Sequence, residues 1–92
     1  MNTIALDFET YYDKDCSIRK LGFRRYFAHP DFDAYMVSAV GDEGTNFVGC
    51  PKDEFDWELI KGNRILSHNA SFDELLYLHG VEAGWWPLVE YA

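Results

Sequence analysis

Apolar and polar residues alternate through TIALDFET. Ile4, Leu6 and Phe8 fall on one face of an extended chain, and Ala5, Asp7 and Glu9 fall on the other. The pattern predicts a strand from Thr3 to Thr10, followed by a polar break at YYDKD. Ser17 then offers an N-cap to a helical stretch, SIRKLGFRRYFAHP. In it Ile18, Leu21, Arg25 and Tyr26 are spaced as one face, Gly22 interrupts, and Pro30 ends the run. The stretch DAYMVSAVGDEGTNFVGC reads as a hairpin, with strands over about 34–40 and 46–50 joined at GDEG.

Residues 51–62, PKDEFDWELIKG, carry Pro51 at the start, acidic groups early, Lys61 late and Gly62 just after. That order predicts a helix matched to its dipole. RILSHN predicts a short strand, and ASFDELLYLHG a helix that Gly80 ends. Ser71 with Glu74 fits a capping box, and Asn69 is a second candidate cap. On this helix Phe72, Leu75, Leu76 and His79 form the stripe expected to pack on a sheet, leaving Asp73 at its rim. AGWWPLVEYA reads as a loop. The order of strand, helix, hairpin, helix, strand and helix predicts a mixed α/β sheet in a single domain over 1–92.

A chain 48% hydrophobic and 17% aromatic can bury a core. Its net charge of −8 argues against tight, non-specific nucleic-acid binding by the whole surface. The sign is not uniform, because Arg19, Lys20, Arg24 and Arg25 form a local basic patch beside Phe23, Tyr26 and Phe27. No apolar run is long enough to span a membrane, and no signal peptide opens the chain. Cys16 and Cys50 match no zinc spacing and read as reduced thiols of a cytosolic protein.

Two Asp-x-Glu triplets occur, Asp7-Phe8-Glu9 and Asp56-Trp57-Glu58, against about 0.7 expected from residue frequency, so spacing alone carries little. Context separates them. Asp56 and Glu58 fall in the predicted helix, where residues two apart diverge, and read as a solvated face. Asp7 and Glu9 share one face of a strand whose other face is apolar, where two carboxylates repel each other. A hard divalent cation would relieve that repulsion. The competing reading is an edge strand with a wet acidic face. Asp73 is likewise open to two readings, a ligand or an acidic residue favoured in a helix's first turn. His68 reads as a polar group at the strand–helix turn, and His79 as part of the helix C-terminus.

Asp7-Phe8-Glu9-Thr10 on a first strand, followed after a later strand by Asn69-x-x-Phe72-Asp73, resembles the first two motifs of the DEDD-type 3′→5′ exonucleases. The likeness is strongest to the proofreading domain of phage and bacterial family A DNA polymerases, and it spans nearly the whole chain. It implies a ribonuclease H-like mixed sheet, with the fourth strand parallel to the first and helices flanking it. It implies Mg²⁺ or Mn²⁺ as cofactor, held by Asp7, Glu9 and Asp73 as catalytic carboxylates. Thr10, Asn69 and Phe72 would touch substrate, the 3′ end of single-stranded DNA, in a bacterial or phage-infected cytoplasm. The segment from Arg19 to Phe27 would either stack bases and track a single strand or pack over the sheet with a solvated basic face. The family's third motif, a Tyr or His followed four residues later by Asp, has no counterpart after Asp73. The expectation is therefore the N-terminal part of an exonuclease domain, weak or inactive alone, lacking the covering segment and prone to self-association through an uncovered sheet. The alternative is a non-catalytic ribonuclease H-like interaction module.

Overall fold

The computed structural model describes residues 3–42, 44 and 46–91. The predicted first strand is β1 (Thr3–Thr10), and α1 (Ile18–Ala28) follows it. The hairpin is β2 (Ala34–Gly41) and β3 (Asn46–Gly49), and the last elements are β4 (Arg64–Leu66) and α2 (Ala70–Glu82). The four strands form one mixed sheet in the order β3-β2-β1-β4. β1 runs antiparallel to β2 and parallel to β4.

Register turns the alternation of β1 into two unlike faces. Phe8 lies opposite Val37 and Leu6 opposite Ala39, and these side chains are buried. Asp7 lies opposite Ser38, and Ala5 opposite both Val40 and Leu66, on the other face. That second face is uncovered: Val40, Val48 and Leu66 are 52%, 61% and 54% exposed. The buried residues of β1, β2, α1 and α2 belong to a single core cluster, so both helices pack on one side of the sheet. At its centre Phe8, Trp57 and Trp86 have ring centroids 5.1–6.0 Å apart. Each such aromatic pair adds about 0.5–1.5 kcal/mol beyond its area burial.

Ser17 caps α1 as expected, its side chain accepting the Lys20 N–H at 3.2 Å. Gly22 has φ +77°, a conformation that costs other residues steric strain, and it kinks the helix there. The kink turns the second half, so Tyr26 and Phe27 are buried while Arg25, expected beside Tyr26, is exposed.

Three further expectations are corrected. Residues 51–62 form turns and a single 3₁₀ turn, Trp57–Ile60, not an α-helix. Phe55, Trp57 and Ile60 are all buried, yet at 100° per residue they would span about 200° of a helix surface, too wide for one face. Asp56 caps the short turn by accepting the Glu58 N–H, and both acidic residues remain exposed. The last helix runs past Gly80 to Glu82. Gly80 is where Trp86 lies against the helix: a Cβ there would come within 2.2 Å of the indole ring. Finally, the buried stripe of α2 is Asp73, Leu76, Tyr77 and Gly80, one position round from the expected one. Leu75, expected inside, is exposed, and Asp73, expected at the rim, is inside.

The loop after α2 closes over this stripe. Trp86 Nε1 donates to the Tyr77 carbonyl at 2.9 Å. Tyr77 Oη accepts the Val89 N–H at 2.7 Å and donates to the Pro87 carbonyl at 3.0 Å. No helix among the described residues is long and apolar enough to cross a membrane.

Candidate functional site

Among the described residues, Asp73 is the one charged residue that is buried. It is placed there by the start of α2. Asn69 is the N-cap, its Oδ1 accepting the Phe72 N–H at 3.4 Å, and the Asp73 N–H donates to the Asn69 carbonyl at 3.0 Å. This first helical turn, with its unsatisfied N–H groups, favours a negative charge. Burial works against it, for Asp73 is only 5% exposed. Ser67, just after β4, donates its hydroxyl to Asp73 Oδ2. Oδ1 is fully buried and has no hydrogen-bond partner among the described residues.

The electrostatics follow from that placement. Burial pushes the Asp73 carboxyl above its ordinary value of 3.8, and the charges of Asp7 and Glu9 push it further the same way. The Ser67 hydroxyl and the Phe8 N–H pull it back, the latter without completing a hydrogen bond to Oδ1. The three carboxylates named from the sequence therefore feel one another across the junction of β1 with α2. Asp7 and Glu9 stand exposed on the open face of β1. Asp7 lines a shallow depression of about 470 Å³ there with Ser38, Val40, Leu66, Ser67 and His68. Ser67, like Leu6, borders both this depression and a smaller cavity of about 80 Å³ beside Asp73.

Proximity of charge is not a closed coordination shell. No group of three or more His, Cys, Asp or Glu side chains is gathered closely enough to hold a metal ion among the described residues. The donor chemistry nevertheless suits a hard cation: all three candidates are carboxylates, and one presents a buried, unpartnered oxygen.

The residues expected to touch substrate have structural partners. Thr10 Oγ1 lies 2.8 Å from the Tyr26 hydroxyl; since that hydroxyl donates to the Tyr11 carbonyl, Thr10 is the donor of the pair. Asn69 caps α2. Phe72 is half-buried, with its ring centroid 5.7 Å from that of Phe27 and 6.3 Å from that of Phe23. Tyr26 and Phe27 are buried and unavailable for base stacking, while Arg19, Lys20, Arg24 and Arg25 are exposed, with Lys20 paired to Asp15 at 2.9 Å. His68 is exposed at the strand–helix turn, and His79 packs between Phe27 and Trp85 in the last turn of α2. Ser67 is the residue that sequence reasoning passed over. Its only trace is a hydroxyl six positions before Asp73, at the end of a strand. No protein-family model, curated protein or solved structure matches the chain.

Proposed function

We propose that this chain is a ribonuclease H-like, metal-dependent 3′→5′ exonuclease fold of the proofreading type, directed at single-stranded DNA ends and weak or inactive by itself. One observation carries the reading: a carboxylate buried in the first turn of α2, one oxygen unpartnered, within the field of two carboxylates on the adjacent strand. Such an arrangement costs stability unless a positive charge joins it.

Asp7 and Glu9 would hold Mg²⁺ or Mn²⁺ from the strand, and Asp73 would support it from the helix. Ions bound in this way supply Lewis-acid activation of water and neutralise charge developing on a phosphodiester. The chain's own part is positional. Ser67 fixes Asp73, Asn69 fixes the first turn of α2, and the apolar face of β1 anchors the strand that presents Asp7 and Glu9. The carboxylates are not drawn into one cluster, and no aspartate follows Asp73. A fourth carboxylate from a further segment or a partner would complete the site. The uncovered sheet face with Val40, Val48 and Leu66 favours a second reading, a non-catalytic interaction module of the same fold.

The test is Mn²⁺-dependent thermal stabilisation, together with nucleotide release from 5′-labelled single-stranded DNA. Asp7→Ala and EDTA controls run beside both. The proposal expects Mn²⁺ to raise the melting temperature of the wild type and not of Asp7→Ala, with faint or no release. Indifference of the wild type to Mn²⁺ refutes it and leaves the interaction module. Robust release sensitive to both controls would refute the claim of weakness alone.

A further inference from the structure

The cavity of about 80 Å³ beside Asp73 lies where the start of α2 meets β4, the edge strand of the sheet. Leu6, Ile60 and Ile65 give it apolar walls. Tyr77 and Tyr91 line it too, their ring centroids 6.0 Å apart and their planes nearly perpendicular. Asp73 borders it from the buried side, and Glu74 from the exposed side. Burial raises the Tyr91 hydroxyl above its ordinary value and the charge of Glu74 raises it further, so these two residues are neighbours at the mouth. Two carboxylates and two aromatic rings therefore border one apolar space. No lysine, arginine or histidine lines it.

That combination selects the ligand's chemistry. Asp73 is buried, one of its oxygens has no hydrogen-bond partner, and no ion pair joins it among the described residues. A buried charge in that state is costly until an opposite charge comes near. On this side of Asp73 an inorganic cation would lack a shell of oxygen ligands, because the walls are hydrocarbon. An organic ammonium brings its own apolar body, and the faces of aromatic rings stabilise its charge. Volume sets the size: one water needs about 10–15 Å³ of such space, so the cavity takes about five to eight non-hydrogen atoms. We propose that this cavity binds an alkylammonium of about that size. Its apolar body lies against Leu6, Ile60 and Ile65, its charged end faces Asp73 and the tyrosine rings, and Glu74 attracts it at the mouth. A lysine side chain of a peptide and a free amine share this chemistry. The inference rests on the buried charge and not on the exonuclease reading.

An NMR titration of the whole chain with n-pentylamine at neutral pH tests this, with 1-pentanol as the neutral probe of the same length. EDTA is present throughout, so the outcome is independent of any divalent ion. The expected result is saturable shifts at Ala70, Tyr77 and Tyr91, with pentylamine bound about tenfold or more tighter than pentanol. Asp73→Asn should bring the two affinities together. Ala70→Leu fills the cavity from an exposed helix position and should abolish both, with circular dichroism confirming that each variant is folded. A short end-blocked lysine peptide identifies the source. Binding like that of pentylamine supports a protein lysine as the natural ligand, and binding of the free amine alone supports a small-molecule amine. Absence of shifts at the cavity residues, equal affinity for the amine and the alcohol, or shifts that survive Ala70→Leu would each overturn the proposal.

Discussion

Replacing Asp73 by asparagine should stabilise the protein at neutral pH. The substitution keeps the shape of the side chain and removes its charge. An amide can donate to Ser67 Oγ, so that contact survives, and its oxygen takes the place of Oδ1. What is removed is a buried negative charge, whose burial costs more than that of a neutral acceptor, itself about 1–3 kcal/mol. Repulsion from Asp7 and Glu9 goes with it. A net gain of about 1 kcal/mol would raise the melting temperature by about 4–8 °C in a domain of this size. The pH dependence identifies the cause. The carboxyl of Asp73 is raised above 3.8 in the folded state, so the folded protein binds that proton more tightly than the unfolded chain does. Its destabilising effect is absent below pH 3.8, grows as pH rises towards the folded value, and is complete above that value. The gap between Asp73→Asn and wild type should therefore be widest at neutral pH and close in acid. Calorimetric melts of both proteins from acid to neutral pH measure it. A variant that melts lower at pH 7, or a gap that does not change with pH, refutes the claim that Asp73 is held charged at a cost.

Two other substitutions probe the layer that positions this helix. Gly80→Ala should lower stability by about 1–3 kcal/mol, because its Cβ would meet the Trp86 ring and the indole is pinned by its hydrogen bond to Tyr77. The better helix propensity of alanine offsets less than that, and an unchanged or raised melting temperature would show that Trp86 yields. Tyr77→Phe should cost about 1–3 kcal/mol in denaturant titration by leaving the buried Val89 N–H and the Pro87 carbonyl without their hydroxyl partner. Loss of protection at the Val89 amide in hydrogen exchange would locate the effect, and a neutral result would show that water takes the hydroxyl's place.

The sheet was legible in the chain because a strand's period is short. Ile4, Leu6 and Phe8 settle which face of β1 goes inward within five residues, and the runs on either side of GDEG pair as the two hairpin strands, Glu43 of the expected turn lying outside the described residues. The helices were less legible for opposite reasons. In α2 the outer Leu75 and Leu78 are as apolar as the inner Leu76 and Tyr77, so the pattern admits two registers one position apart. Hydrophobicity chose the register that kept the aspartate out, and packing against Trp86 and the closing loop chose the other. In residues 51–62 every helix end signal was present, but three buried aromatic and aliphatic side chains on divergent directions decided the conformation. Ser67 was invisible because its role depends on a turn of chain that brings residue 67 back against residue 73.

A chain selected only for stability would complete the stripe of Asp73, Leu76, Tyr77 and Gly80 with an apolar residue at its head. The aspartate instead sits where burial and two neighbouring carboxylates raise its energy, and one serine hydroxyl recovers part of the loss. Local rules broken without a local gain are expected where a side chain serves a ligand. That gives the proposed ion a specific consequence beyond turnover. If a cation offsets the repulsion, Mn²⁺ should stabilise wild type more than Asp73→Asn, and the two proteins should draw together in melting temperature as Mn²⁺ is added. If Asp73→Asn is the more stable protein and the gap is indifferent to Mn²⁺, the buried carboxylate is a strain with no ion to relieve it. The interaction-module reading would then be the stronger of the two.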